Sequence, residues 1–262
     1  MILGGGLVAR QGGKHNKYKH ILERCPPVEY YNTYVEPFIG GGSVFLNVPI
    51  VKIMVGGDTD VKMINLWKDL QNVDIDKVKQ YNFKITISKE QWDKYNEIAK
   101  NKLIGDATDR FIANLLIRQH SFSTTGLKYF KHNSISIKKA SSTVVLKRNL
   151  EKYKEHVKNA KFFNKSYEYL INKYDSKTTF FYCDPPYYNV DSTSYETGEI
   201  DHVLFHNRIT KIKGLFLISY NDDKYIKDLY KDYYITSFNS RQTMGISKKY
   251  VNEILISNYK VE

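Results

Sequence analysis

Between Tyr31 and Asp58 the chain lays out an order of elements that few folds accommodate. The segment Asn32-Thr33-Tyr34-Val35-Glu36 reads as a strand, runs into Pro37-Phe38-Ile39-Gly40-Gly41-Gly42, and meets an expected helix start at Ser43-Val44-Phe45-Leu46-Asn47. A second apolar strand, Val51 to Val55, closes on Gly56-Gly57-Asp58 before a helix carrying Val61, Ile64, Leu66 and Trp67. Strand, glycine turn, helix, strand, acid is how a doubly wound α/β nucleotide-binding domain begins. Gly40 and Gly42 remove side chains where backbone must approach a ligand, and Asp58 stands where a carboxylate can accept both hydroxyls of a ribose. A plain polar strand end is the competing reading of Asp58, and Asp60 reads as a solvated first-turn helix residue. No Walker-type lysine follows the glycines, which disfavours a nucleoside triphosphatase and suits an adenosine cofactor without phosphates.

The pattern then changes. Ser88 to Lys100 predicts a helix with a Ser88/Gln91 capping box, and Asp106 to Gln119 an amphipathic helix with Phe111, Leu115 and Ile117 inward. No buried parallel strand shows between about residues 70 and 160, so this stretch reads as an inserted lobe whose polar, basic segment Ser121 to Ser142 forms an exposed loop or hairpin. Alternation resumes with strand Lys161 to Asn164, helix Tyr167 to Tyr174 and strand Thr178 to Cys183. Helix His202 to Lys213, strand Leu215 to Ser219 and helix Asp222 to Tyr230 follow. Strands Tyr233 to Phe238 and Val251 to Ser257, separated by about a dozen residues, should pair antiparallel.

Charge adds a partner class. The 262 residues carry a formal +12, and Lys128 to Lys165 holds eleven lysines or arginines against Glu151 and Glu155. Such clustering suits a polyanion, although solvated helix faces in a Lys-rich chain would look the same. Cys25 and Cys183 are the only cysteines, and the seven histidines show no ligand spacing with them, so neither a disulfide framework nor a metal site is expected. No apolar run approaches a membrane span and the N-terminus lacks a secretory pattern, so the expectation is a soluble protein, not secreted, in the cytoplasm or wherever its target resides.

The chemistry concentrates in Thr179-Phe180-Phe181-Tyr182-Cys183-Asp184-Pro185-Pro186-Tyr187-Tyr188. An apolar strand delivers the residues after it to its carboxyl end, where open α/β sheets bind ligands. Pro185 and Pro186 fix φ at successive positions, so the carbonyls of Asp184 and Pro185 stay out of any helix. That arrangement suits an exocyclic amine, a poor nucleophile whose lone pair is delocalised into its ring. A carboxylate and a carbonyl accepting its two protons pull the nitrogen toward sp³ character. Tyr187 can offer an aromatic face to a base removed from the stack. A strand-terminating turn is the structural alternative for Asp-Pro-Pro alone.

Taken together, Gly12-Gly13-Lys14, the run Val35 to Asn47, Asp58, and Phe181-Tyr182-Cys183-Asp184-Pro185-Pro186-Tyr187 make the chain resemble the Dam-type family of DNA adenine-N6 methyltransferases over nearly its whole length. Leu217-Ile218-Ser219-Tyr220-Asn221 and Lys249 to Leu255 add weaker support. The resemblance implies an α/β, Rossmann-like methyltransferase sheet with an antiparallel C-terminal strand and an inserted, mainly helical DNA-recognition lobe. The catalytic domain would span 1–70 and 160–262, and the lobe 71–159 with a hairpin over 118–140. Asp184, Pro185, Pro186 and Tyr187 would be catalytic. S-adenosylmethionine would be held by Gln11, Gly12, Phe38, Gly40, Gly42, Ser43, Asp58, Ser166, Tyr167 and Asp184. Double-stranded DNA would be contacted by Lys14, Arg118, Phe122, Lys128, Lys138 and Lys139, with the target adenine flipped out of a short site such as GATC. Local packing of the hairpin is an equal alternative for Phe122. Exocyclic methylation of cytosine, which in relatives usually pairs with Ser at the place of Asp184, is the neighbouring alternative. Methylation of RNA or of a glutamine amide, and a DNA-binding module without activity, are the remaining ones.

Overall fold

The computed structural model describes residues 4–8, 13–83, 85–120, 137–189, 200–241 and 250–261, the backbone alone over 137–145, 239–241 and 250–251. Among the described residues seven strands form one sheet: β1 (Thr33–Glu36), β2 (Ile53–Gly57), β3 (Lys161–Phe163), β4 (Thr179–Cys183), β5 (Leu215–Asn221), β6 (Tyr234–Arg241) and β7 (Tyr250–Ser257), in the order β3-β2-β1-β4-β5-β7-β6. The first five pair in parallel, and β7 lies antiparallel to both β5 and β6. The antiparallel pairing expected of the last two strands is present, with β7 entering between β5 and β6. This is the expected α/β, Rossmann-like sheet with an antiparallel C-terminal strand.

Strands buried on both faces read as continuous apolar runs, and β1 and β4 are buried at every residue. Alternation decides which core each side chain joins. Tyr34, Phe180, Tyr182 and Leu217 face one core, which also takes in Phe45 and Trp67; Val35, Phe181, Cys183 and Ile218 face the other, with Leu170, Phe205 and Ile226. The helices over these faces are α1 (Tyr18–Leu22), α2 (Val61–Leu70), α3 (Ile75–Gln80), α4 (Lys89–Lys100), α5 (Ala107–Gln119), α6 (Ile137–Val157), α7 (Tyr167–Tyr174), α8 (His202–Ile209) and α9 (Lys224–Leu229). The Ser88/Gln91 capping box forms as expected, and Asp106 and Asp109 make a second one. Asp60, expected in solvent, is buried and caps α2 by accepting from the amides of Lys62 and Met63.

The inserted stretch shares the sheet's core: Phe111 and Leu115 of α5 and Leu150 and Tyr153 of α6 pack in the same cluster as Tyr34 and Phe45. Arg110 donates to Asp69 at 2.7 and 3.0 Å, and Asn114 to the carbonyl of Lys62, fastening α5 to α2. Of the hairpin expected over 118–140, residues 118 and 119 end α5 and 137–140 open α6, while 121–136 lie outside the described residues. The serine- and β-branched-rich run Ser141 to Val145 has weak helix propensity. What sustains α6 is tertiary, since Leu146, Leu150, Tyr153 and Val157, spaced at helical intervals, are all buried.

A second correction concerns residues 43–47. They form turns instead of a helix, closed by the amides of Leu46 and Val48 on the carbonyls of Gly42 and Val44. Pro49 brings no N–H and disfavours the helical region at Val48, so the coil cannot propagate. Asn47 instead ties this turn to the N-terminal segment, accepting from the amide of Gly4 at 3.0 Å and donating to the carbonyls of Ser43 and Gly5.

Gly40 and Gly42 have positive φ, +44° and +64°. A Cβ on Gly42 would stand 2.4 Å from the Trp67 ring, whose indole N–H donates to the Gly40 carbonyl at 2.9 Å. The glycine turn is therefore folded beneath a buried tryptophan. Gly42→Ala should cost about 2–4 kcal/mol from unfavourable φ and overpacking together. Urea unfolding reads this as a lowered midpoint; a midpoint equal to the parent's would mean that Trp67 yields without cost.

Candidate active site

Strand order places the site. Going from β1, the chain steps through β2 and β3 in one direction and then to β4 on β1's other side, so the carboxyl ends of β1 and β4 flank the switch point, the usual ligand crevice of such sheets. Glu36 ends β1, Asp58 follows β2, Asn164 follows β3, Asp184 follows β4 and Asn221 ends β5. Because β7 runs the other way, its residue Glu253, paired with Asn221, reaches the same edge.

Asp184 is the centre. Its Oδ1 accepts from the Lys14 ammonium at 2.5 Å and from the Ser219 hydroxyl at 2.8 Å, while Tyr182 and Ser219 share a bond at 3.1 Å. Both contacts fall on one oxygen, and Oδ2 takes no hydrogen bond from the described residues. Lys14 is only 4% exposed. Burial by itself would lower its pKa, but the charge of Asp184, with Tyr182, Glu253 and the hydrogen bond, reverses this and holds the ammonium above the ordinary lysine range. The same ammonium lies 4.8 Å from the centroid of the Tyr187 ring. Tyr187 donates its hydroxyl to Glu253 Oε2 at 3.2 Å. Burial pushes that phenol well up, and the charges of Asp184 and Glu253 push it further. Asn221 donates to the Tyr188 carbonyl at 3.1 Å, bracing the far side of the loop.

Across the crevice, Asp58 Oδ2 accepts from the amide of Gly40 at 3.1 Å and Oδ1 from the amide of Asp60 at 2.9 Å. Phe38 stacks on Tyr167 with ring centroids 5.6 Å apart, and Phe205 meets both edge-on. Ser43 is buried beside the glycine turn, and Ser166 is exposed at the start of α7.

The expected residues thus divide. Phe38, Gly40, Gly42, Ser43, Asp58, Tyr167, Asp184, Pro185, Pro186 and Tyr187 gather at the carboxyl edge. Lys14, expected to face DNA, is turned inward onto Asp184. Arg118 is half-buried, its Nε donating to Asn114 at 2.8 Å. Lys138 and Lys139 lie in the first turn of α6. Gln11, Gly12, Phe122 and Lys128 fall outside the described residues. Sequence reasoning missed Glu36, Ser219, Glu253 and Lys17, which pairs with Glu253. For Glu36, Ser219 and Glu253 the signal was a polar group inside an otherwise apolar strand, and Lys17, at the start of α1, carried none. Among the described residues, no group of three His, Cys, Asp or Glu could hold a metal, and no helix is long and apolar enough to cross a membrane.

Glu36 is 2% exposed and accepts from the Tyr34 hydroxyl at 2.5 Å. Burial pushes its carboxyl well above the usual range and the Asp184 charge pushes it further, against the lowering by Tyr34 and Lys14. The folded state therefore keeps a proton that the unfolded chain sheds near 4.5. This group's contribution is complete below that value and declines as pH rises toward the folded pKa. Glu36→Gln keeps the acceptor for Tyr34 without the titration, so its stability relative to the parent should improve from about pH 5 to about pH 8. Parallel thermal melts across that range would contradict a buried neutral Glu36 if the difference stayed constant.

Comparison with known proteins supplies the remaining finding. The family described as D12 class N6 adenine-specific DNA methyltransferase matches residues 11–244. The type II methyltransferase M1.LlaDCHI of Lactococcus lactis subsp. cremoris is 26% identical over 95% of this chain and 93% of its own. The type II methyltransferase M.CviBI of Paramecium bursaria Chlorella virus NC1A is 24% identical, covering 97% and 99%. A DNA adenine methylase of Vibrio cholerae is 24% identical, covering 93% and 92%.

Proposed function

We propose that this chain, which belongs to the D12 class of N6 adenine-specific DNA methyltransferases, uses S-adenosylmethionine to methylate an adenine flipped out of a short duplex site. DNA is the substrate of this class and adenine its target base. The observation that carries the finer reading is Asp184. Two donors pin Oδ1 and leave Oδ2 turned to no described residue, beside a carbonyl that proline keeps out of any helix. An adenine amine at this point donates one proton to Oδ2 and the other to the Pro185 carbonyl, localising its lone pair. Tyr187 supplies the ring against which the extruded base lies.

The residues opposite fit the cofactor. Phe38, backed by Tyr167, would offer a ring face to its adenine, the Asp58 carboxylate would take its ribose hydroxyls, and the side-chain-free backbone at Gly40 would allow close approach. Gln11, Gly12, Gly42, Ser43, Ser166 and Asp184 complete the proposed set. Bound there, S-adenosylmethionine supplies an electrophilic methyl group on sulfur. The chain's own contribution is to hold the amine with its lone pair free and its protons accepted.

DNA contacts fall to the stretch 71–159, with 1–70 and 160–262 as the catalytic part. Arg118 stands near the end of α5, and Lys138 and Lys139 begin α6, so they bracket the segment that holds Phe122 and Lys128. Arginine and lysine there can grip phosphates or read guanine, and Phe122 can fill the gap left by an extruded base. Lys14 belongs to the catalytic loop's grip in the structure described above, and its part in DNA contact would follow from release of Asp184.

Asp184→Asn, which keeps Oδ1 as the acceptor for Lys14 and Ser219, should keep the fold while methyl transfer falls sharply, since the amide nitrogen in place of Oδ2 donates and cannot accept the amine's proton. Sequencing that detects methylated bases, on DNA from cells expressing parent or variant, reports base and context together, with GATC the first context to inspect. Near-normal N6-methyladenine from the variant would remove Asp184 from catalysis, and methylation at cytosine would overturn the target.

Asp58→Ala should weaken cofactor binding by about 1–3 kcal/mol, the scale of a lost charged hydrogen bond, with DNA affinity little changed. An unaltered dissociation constant in calorimetry would leave Asp58 as a brace for Gly40 and α2 only.

A further inference from the structure

We infer that Glu253 is a positioning residue for methyl transfer, acting through the hydroxyl of Tyr187 to set the plane of that ring. The inference rests on the reading of Tyr187 as the platform for the target base. Glu253 sits in β7 opposite Asn221 on one side and Phe238 on the other. A slip of one residue would turn it to the other face of the sheet, so the register itself delivers the carboxylate to the crevice. At 2% exposure it needs partners, and it has them in the Lys17 ammonium on Oε1 and the Tyr187 hydroxyl on Oε2.

Lys17 and Lys14 belong to one turn. The amides of Lys17 and Tyr18 both bond to the Lys14 carbonyl, at 2.9 and 2.8 Å, so the two lysines are fixed relative to each other. One grips Asp184 and the other Glu253. Tyr187 is thereby held at its face by Lys14, at its hydroxyl by Glu253 with Ser219 beside it, and at its side by Tyr220, whose ring centre is 6.1 Å away. Loss of the charged acceptor leaves the ring in place but freer to tilt. In-line transfer is sensitive to small errors of angle, so the rate suffers while cofactor binding does not.

The test uses the full chain with duplex DNA carrying the methylation site. Glu253→Gln, which weakens the acceptor and its hold on Lys17, should lower kcat about three- to tenfold with the cofactor dissociation constant unchanged. Tyr187→Phe should lower kcat by a similar factor, and the double variant should be no slower than the slower single. Fluorescence of 2-aminopurine at the target position should rise in each single variant as the ring loses its fixed plane. Multiplying effects in the double variant, or parent kcat in Glu253→Gln, would overturn the inference. Should Glu253→Gln fail to fold, Tyr187→Phe decides alone, and parent kcat in it would be enough to reject the role. Tyr187→Ala separates the two levels. A large loss of rate there, with both conservative variants unaffected, leaves the platform standing and removes Glu253. No loss in Tyr187→Ala removes the platform reading itself.

Discussion

A lysine ammonium that is taken out of water must meet a carboxylate, and Lys14 meets the one on which the reaction turns. To satisfy that pairing the N-terminal segment has to cross the carboxyl edge of the sheet, and much else follows from the crossing. The segment lies on the glycine turn, with the amide of Leu7 bonded to the carbonyl of Gly41 at 2.7 Å. A side chain on Gly41 would strike the Val8 carbonyl at 2.4 Å. The same strip of chain therefore touches both halves of the crevice, the half expected to hold a cofactor and the half that holds Asp184. A buried ion pair of this kind contributes little net stability, because desolvation offsets its attraction, but removing one partner strands the other. Its value lies in fixing where Asp184 points.

Parts of this arrangement were legible in the sequence because they are local. Apolar runs ending in glycine or acid marked β1, β2 and β4, the Ser88/Gln91 spacing marked the start of α4, and two apolar strands close in sequence marked the antiparallel pair. What escaped was set by partners distant in the chain. Glu36 looks like a strand end until Tyr34, Lys14 and Asp184 surround it, and Glu253 is an ordinary acid in a strand until β7 is placed between β5 and β6. Residues 43–47 misled because their apolar pattern suits a helix, whereas Pro49 and the bonds of Asn47 to the N-terminal segment favour turns. Helix α6 was hidden by poor local propensity and revealed only by the buried spacing of its second half.

The second half of α6 also links the proposed recognition stretch to the glycine turn. His156 bonds through Nε2 to the Phe45 carbonyl at 2.9 Å, and the Tyr153 hydroxyl donates to the Gly4 carbonyl at 3.0 Å. Burial lowers the His156 pKa against the opposing effect of that carbonyl, which suits a neutral imidazole donating from Nε2. A helix that begins beside the proposed DNA segment thus ends in hydrogen bonds to the backbone of the cofactor side. Displacement along α6 would be felt at the turn with no intervening flexible connection.

The place of β7 sets the order in which the sheet can be assembled. Strand β6 is made first yet has no bond to β5, and each must wait for the strand that enters between them. Until then β5 presents an open edge carrying Leu215 to Ile218, and β6 is unpaired. Such edges invite association with other chains. The hairpin of β6 and β7 therefore acts as a closing piece, and a chain caught before it docks is both without its Glu253 contact and at greatest risk of aggregation.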